Sequence, residues 1–342
     1  MKERKVGIGI IGTGAIAALH LKCIREIHNA EIIAMASSSE ARAEETRKKF
    51  GVKVYGSYQS LLQDEAIDAV IIGTHSGNHL APTLEAAKMG KHVLVEKPIE
   101  INTERADQMI STCEEAGVKL GVIFQNRFSP DYMKLKAAVD AGKLGKLMLG
   151  NAYIKWFRAA SYYENSTWKG TLQGDGGAAL INQGIHTIDL LINIMGDVDQ
   201  VFGNVRTVRH KIEGEDLGLA LLTFKSGALG TIEGSTAIVP GYPERLEIFG
   251  TKGSVILEGG KIAAWNIEEQ NAEQNISEEE NQSGSSDPMA INYLLHKTQI
   301  SDFVEALLYD RQPIVDGLEG KKSLTLIQGI YESAQQEQEI KL

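Results

Sequence analysis

The chain has 342 residues, 43% of them hydrophobic and 23% charged, with a formal net charge of −10. That length exceeds what one hydrophobic core comfortably serves, so two domains are expected. The acidic balance, with no long basic stripe, argues against a nucleic-acid partner, and the ordinary globular composition confines disorder to local stretches.

Cys23 and Cys113 have neither a nearby second thiol nor zinc-type spacing, as expected of a reduced, intracellular protein. Val6 to Ile11 is too short an apolar run for a signal-peptide core or a membrane span. A cytoplasmic location without membrane association is the expectation.

Val6-Gly7-Ile8-Gly9-Ile10-Ile11 reads as a buried strand. It runs into Gly12-Thr13-Gly14-Ala15-Ile16-Ala17, then a helical pattern through Leu19, Ile24 and Ile27, and a second strand from Glu31 to Ala36. This strand, glycine turn, helix and strand form the unit that holds a dinucleotide pyrophosphate. Gly12 allows the tight turn, Gly14 lets backbone approach the phosphates, and Ala17 stands where a third glycine often stands. Thr13, Ala15 and Ile16 belong to the same anion cradle, because the helix N-terminus offers unpaired amides.

An acidic residue about 20 positions further on usually holds the ribose hydroxyls of NAD. Here the second strand ends in Ser37-Ser38-Ser39, with Arg42 beyond. Hydroxyls plus a guanidinium suit a 2′-phosphate better than a bare diol, so the sequence leans to NADP(H) over NAD(H). A plain helix cap by Ser39, with Arg42 on a solvated face, accounts for the same residues.

Ala66 to Gly73 reads as another buried strand, followed by Thr74, His75, Asn78 and His79 at the edge where an open parallel sheet binds ligands. The two histidines are expected to line the cofactor mouth. Their spacing begins in a loop, so a metal site is not expected. A helix from Pro82 to Met89 leads to the strand His92 to Val95, which ends in Glu96-Lys97-Pro98. A helix from Thr103 to Ala116 and a strand from Val118 to Phe124 continue the alternation, which implies a doubly wound α/β domain over residues 1–125, ending at Gln125.

The pattern then changes. Lys134 to Ala141 reads as a helix, Leu147 to Phe157 as a strand and Ala178 to Met195 as a helix. Val201 to Val208, Leu217 to Phe224, Ala228 to Ala237, Arg245 to Gly250 and Ser254 to Leu257 are short β-rich runs split by turn residues. Residues 126–342 are therefore expected to form an α+β domain with a large, mainly antiparallel open sheet, serving substrate binding and oligomerisation. Residues 268–287 are too polar to pack and read as a mobile loop. Helical patterns around Ile300 to Leu308 and Ser323 to Ser333 close the chain.

The glycine turn, Glu96-Lys97-Pro98, and Asn182-Gln183-Gly184-Ile185-His186-Thr187-Ile188-Asp189 together resemble the Gfo/Idh/MocA oxidoreductases. The stretch from Tyr162-Tyr163 through Trp168-Lys169-Gly170 to Asp175-Gly176-Gly177 is similar to members acting on sugars and sugar nucleotides. The resemblance implies that Lys97, followed by a cis proline, holds the reacting hydroxyl beside the nicotinamide, and that His186 is the proton donor and acceptor. Glu96, Lys97 and Gln125 would flank the cofactor. Many members carry an aspartate four residues before the histidine, where this chain has Asn182. Asn182 can hydrogen-bond a substrate hydroxyl but cannot carry charge. Arg127, Lys155, Trp168 and Asp189 are the remaining candidate substrate contacts, and Asp189, on the same helix face as His186, either orients it or simply pairs with it. The resemblance also implies homodimers or homotetramers, associating through the C-terminal sheet.

The chemistry agrees. Removing a hydride from an alcohol carbon also requires loss of the hydroxyl proton, for which histidine is the usual base. A lysine cation steadies the developing alkoxide, and nicotinamide carries the hydride. The expected activity is an NAD(P)-dependent dehydrogenase or reductase for a sugar, cyclic polyol or nucleotide-linked sugar. Two other readings are an NAD-dependent glycosidase working through transient oxidation, which would keep its cofactor bound with no net redox change, and a redox-silent regulator, which would tolerate loss of Lys97 and His186.

Overall fold

A computed structural model describes residues 4–267 and 293–342. The polar run 268–287, read above as a mobile loop, lies outside the described residues. The first elements are β1 (Val6–Ile11), α1 (Ala15–Arg25), β2 (Ala30–Ala36), α2 (Glu40–Phe50), β3 (Val54–Tyr55), α3 (Tyr58–Leu62), β4 (Ala69–Ile72), α4 (Leu80–Lys88), β5 (His92–Val95), α5 (Thr103–Glu115) and β6 (Leu120–Val122). Next come α6 (Pro130–Asp140), β7 (Leu147–Lys155), α7 (Ala160–Glu164), α8 (Leu172–Asp175), α9 (Ile185–Met195), β8 (Val198–Arg206), β9 (Leu217–Phe224), β10 (Leu229–Ser235), β11 (Arg245–Gly250), β12 (Gly253–Glu258) and β13 (Lys261–Ile267). The chain ends with α10 (Tyr293–Leu308), α11 (Gly317–Gln336) and β14 (Ile340–Lys341).

The described residues divide into two units, 4–125 with 293–321, and 126–267 with 322–342. The sequence division at 125 gives everything beyond it to one domain, whereas Tyr293–Lys321 groups with the first unit.

The first unit is built on a six-stranded parallel sheet in the order β3-β2-β1-β4-β5-β6. Strand order reverses between β1 and β4, which opens a ligand-binding crevice at the carboxyl ends of the strands. β1 is buried along its whole length, as a strand covered on both faces requires. Ile300, Phe303 and Val304 of α10 share a core with Leu21 and Ile24 of α1, which explains why this late helix belongs here. The outer edge of β6 is satisfied by the same return of the chain. Gln299 Nε2 donates to Val122 O at 2.8 Å, Phe124 N donates to Gln299 Oε1 at 3.0 Å, and Val122 N donates to Val315 O at 3.0 Å. An edge left bare would be a template for unwanted pairing.

The second unit carries an eight-stranded sheet in the order β13-β12-β11-β7-β10-β9-β8-β14. Every neighbouring pair is antiparallel except β7 with β10. β9 shows why one face is covered: Gly218, Ala220, Leu222 and Phe224 are buried, while Leu219 and Leu221 between them are exposed. The helix expected from Ala178 to Met195 forms in two parts, a π-helical turn over Ala179–Gly184 and then α9. α9 comes close to β7 because Gly150 has no side chain, since a Cβ there would lie 2.7 Å from Met195 Cγ.

Candidate active site

The first unit presents the glycine turn at the carboxyl edge of its sheet. Gly12 has φ of +106°, and a Cβ on it would stand 2.6 Å from Gly73 O, so only glycine fits. A Cβ on Gly14 would meet nothing within 4 Å, which leaves open space at the start of α1. No side chain caps α1 and its first turn holds no acidic residue. Thr13, Gly14, Ala15 and Ile16 thus present backbone amides with no built-in carboxylate against them. The residues present fit a dinucleotide pyrophosphate at this turn.

At the end of β2 the backbone amide of Arg42 donates to Ser39 Oγ at 3.4 Å, so Ser39 caps α2. Arg42 also reaches back, donating from Nη1 to Ser38 Oγ at 3.3 Å. Ser37 Oγ is buried with no hydrogen-bond partner, an orphan that a ligand oxygen could satisfy.

Beside the glycine turn, β4 ends in Gly73-Thr74 and β5 in Glu96-Lys97, and a Cβ on Gly73 would lie 3.1 Å from Ile16 and 4.0 Å from Glu96. Thr74 Oγ1 donates to Asn78 O at 3.1 Å, closing the turn in which His75 and Asn78 are exposed. His79 differs from expectation. It is 1% exposed, its Nδ1 donates to Pro98 O at 3.0 Å, and its Nε2 lies 3.4 Å from Thr74 O. Burial holds its pKa below the ordinary histidine value, against the Glu100 and Glu96 charges and the Pro98 and Ile99 carbonyls, which favour the protonated ring. His79 therefore ties the β4 turn to the Lys97–Pro98 segment, and it does not line an open mouth.

Lys97–Pro98 is a cis peptide. Glu96 accepts from Lys97 N at 3.3 Å through Oε2 and from His20 Nε2 at 2.8 Å through Oε1. Burial alone would raise the Glu96 carboxyl, but the His20 hydrogen bond and the nearby His20, His296 and Lys97 charges hold it down at about 2. A fixed carboxylate thus stands one residue before the lysine. His20, wholly buried in α1, is a positioning residue the sequence reading missed. His20 lies 76 positions from Glu96, and no local pattern joins them.

In the second unit the π-helical turn and α9 place Asn182 and His186 one turn apart. Leu180 seats the turn on the sheet between two glycines, since a Cβ on Gly234 would lie 2.5 Å and one on Gly218 2.8 Å from its methyl groups. Asn182 Nδ2 donates to Asp175 Oδ1, and Gly170 N donates to Asp175 Oδ2 at 3.0 Å. Gln183 Nε2 donates to Asn182 Oδ1 at 2.6 Å and to Tyr162 OH at 2.9 Å. Gln183 Oε1 in turn accepts from Arg158 Nε at 3.0 Å and Nη2 at 2.7 Å. The carboxylate that position 182 lacks is therefore present one side chain away, on Asp175. Lys169 Nζ rests 3.8 Å above the Tyr162 ring. Asp175, Gln183, Tyr162, Lys169 and Arg158 were not singled out as site residues from the sequence; all but Arg158 lie within the stretches that carry the family resemblance, and that was their signal.

The remaining candidates divide. Arg127 and Asp189 find each other in a buried two-point ion pair, Nε to Oδ2 at 2.8 Å and Nη2 to Oδ1 at 2.7 Å. Asp189 thus has a partner in Arg127 that neither of its sequence readings named. Trp168 is half-buried, and its carbonyl accepts from Thr171 Oγ1 at 2.7 Å in the turn before α8. Lys155 does not join the Asn182 network. It points to the open face of the sheet, opposite the buried Ile154, and its Nζ lies 2.8 Å from Glu233 Oε2.

Residues 6–124 match the model described as "Oxidoreductase family, NAD-binding Rossmann fold", and residues 132–256 the "GFO/IDH/MocA C-terminal domain". The chain is 30% identical over 347 residues to a myo-inositol 2-dehydrogenase of Thermotoga maritima, covering 98% of both chains. The chain belongs to the Gfo/Idh/MocA oxidoreductase family. It is 28% identical over 265 residues to a scyllo-inositol 2-dehydrogenase (NAD(+)) of Bacillus subtilis, covering 75% of this chain and 74% of that one. Among solved structures, the WlbA dehydrogenase from Bordetella pertussis in complex with NADH and UDP-GlcNAcA superimposes with a TM-score of 0.88 at 29% identity, covering 99% of each chain. This family member is an NAD(P)-dependent oxidoreductase.

Proposed function

We propose that the protein transfers a hydride between a nicotinamide dinucleotide and a secondary hydroxyl, or the matching carbonyl, of a sugar, cyclic polyol or nucleotide-linked sugar. The observation that carries this is in the first unit: a glycine turn fit for pyrophosphate and Lys97 lie at the same carboxyl edge of one parallel sheet. The named dehydrogenases among the relatives support the substrate class over the glycosidase and regulator readings.

The residue roles follow from charge and proton balance. His186, as neutral imidazole, takes the hydroxyl proton as the carbon–hydrogen bond breaks, and returns it in reduction. The Lys97 ammonium stabilises the oxygen as it becomes negative. Bound nicotinamide supplies the acceptor or donor of the hydride. Asn182 offers an amide to a substrate hydroxyl while its own Nδ2 is directed to Asp175. Nicotinamide absorbance with myo-inositol, aldoses and UDP-sugars tests the reading, alongside Lys97→Met and His186→Ala.

For the cofactor's second phosphate, the orphaned Ser37 hydroxyl and the Arg42–Ser38 contact support NADP(H), with no acidic residue at the end of β2 to repel it. Comparison of kcat/KM for NADP⁺ and NAD⁺ in wild type and Arg42→Ala tests this; a preference for NADP⁺ that Arg42→Ala abolishes is expected. For assembly, the open sheet face supports association of identical chains. Phe202 opposes Leu221, and Leu229 opposes Leu149, in a strip of exposed apolar residues across four strands. Light scattering should report a dimer or tetramer, and Leu221→Glu should dissociate it. Buried, free Cys23 and Cys113 support a cytoplasmic location, and no helix of the described residues is long and apolar enough to cross a membrane.

A further inference from the structure

The network around Asn182 includes two cations, Arg158 and Lys169, and the carboxylate of Asp175. Arg158 is buried, and its Nε and Nη2 face the neutral amide oxygen of Gln183 while Nη1 donates to Phe157 O at 2.9 Å. Asp175 is the acidic member of the network, and its two oxygens accept from Asn182 Nδ2 and Gly170 N. Lys169 adds a second cation. Its Nζ makes no hydrogen bond and no ion pair among the described residues; its one contact of note is the Tyr162 ring, 3.8 Å below.

A half-buried ammonium that faces only an aromatic ring has lost part of its water and gained no hydrogen-bond acceptor in return. Tyr162 fixes where the ammonium stands. Its ring carries Lys169, and its hydroxyl accepts from Gln183, which is bonded to Asn182. Asn182 lies one turn before His186. The cation is therefore held by the same network that presents the candidate substrate contact and the proton carrier.

We propose that Lys169 receives an anionic group of the substrate, a carboxylate or phosphate carried on the sugar, and so makes the enzyme select acidic over neutral sugars. This rests on the dehydrogenase reading and deepens it. Burial, helped by Arg158 and opposed by Asp175, holds the Lys169 amine below its ordinary value. An arriving anion reverses that cost. Asp175 already accepts from Asn182 Nδ2 and Gly170 N, and it makes no ion pair with the Lys169 ammonium.

The test compares wild type, Lys169→Met and Lys169→Arg on three matched pairs: glucuronate and glucose, glucose 6-phosphate and glucose, and UDP-GlcNAcA and UDP-GlcNAc. Turnover is read by nicotinamide absorbance, and binding to the dinucleotide-loaded protein by calorimetry. Wild type should favour the acidic member of at least one pair. Lys169→Met should lose about 10- to 100-fold of that preference through KM, with kcat and the neutral member little changed, as expected for loss of one charged hydrogen bond. Lys169→Arg should keep most of it and shows that the site still folds. The pair that responds identifies carboxylate or phosphate as the group bound. The inference is overturned if wild type has no acidic preference in any pair, if Lys169→Met weakens both members equally, or if neither member of any pair binds. A Lys169-dependent preference in binding without any nicotinamide turnover would leave this inference standing and contradict the dehydrogenase reading.

Discussion

Arg127 and Asp189 close on each other through two parallel hydrogen bonds of 2.8 and 2.7 Å, both side chains almost entirely buried. Asp189 stands three residues after His186 on α9, so this pair anchors the helix that carries the proposed proton donor. Breaking it from one side leaves a charge buried without its partner. Arg127→Leu should cost about 3–5 kcal/mol in urea unfolding, and the double variant Arg127→Leu with Asp189→Leu distinctly less than the sum of the singles. Additive losses would mean that the two side chains do not act as a unit.

The two glycines of the turn should behave differently. Gly12→Ala forces a Cβ to within 2.6 Å of Gly73 O at positive φ, and should lose more than about 1 kcal/mol of stability together with dinucleotide binding. Gly14→Ala has open space around it, so its unfolding midpoint should match wild type while dinucleotide affinity falls. Calorimetry of both variants with NAD⁺ and NADP⁺ distinguishes a packing role from a ligand-approach role.

Asn182→Asp restores the residue many family members carry, but in this chain it meets the Asp175 carboxylate. Like charges raise the apparent pKa of the pair above the ordinary aspartate value of about 3.9. A group raised in the folded state favours folding only while protonated. The variant should therefore match wild type near about pH 4 and fall behind by about 1–3 kcal/mol as pH rises to about 8. A deficit independent of pH would place the cause in packing.

Cys23 and Cys113 are free and buried, and burial, with smaller contributions from Glu26 and Glu114 respectively, pushes both thiols up to about 12. Neither should be alkylated by iodoacetamide at about pH 8 in the native state, and both should be in denaturant, as mass spectrometry can count. Rapid native labelling would show that α1 or α5 opens readily.

The parallel sheet was legible because its signals are local: a glycine turn between a buried strand and a helix, and strands that alternate with helices. Helical periodicity located α10 but said only that it has an apolar face, and Ile300 and Phe303 share a core with Leu21 from about 280 positions away. Arg127 and Asp189 were each picked out, yet their pairing spans 62 positions and follows from tertiary packing. The Asp175–Asn182 contact is only seven residues long, but it depends on a π-helical turn whose hydrogen bonding leaves no mark in residue type. Lys155 is a different case. The alternation of Tyr153, Ile154 and Lys155 along β7 was available in the sequence and puts the lysine on the open face.

The central claim, hydride transfer with Lys97 on the oxygen and His186 on the proton, meets its most direct test in one assay. Wild type, Lys97→Met and His186→Ala are mixed with NAD⁺ or NADP⁺ and a panel of inositols, aldoses and UDP-sugars, and nicotinamide reduction is followed by absorbance. Wild type should reduce the dinucleotide with at least one member, and each variant should lose about 10²-fold or more in kcat while still binding the dinucleotide. Turnover that survives in either variant, or wild type that binds dinucleotide and reduces it with no member of the panel, would contradict the account.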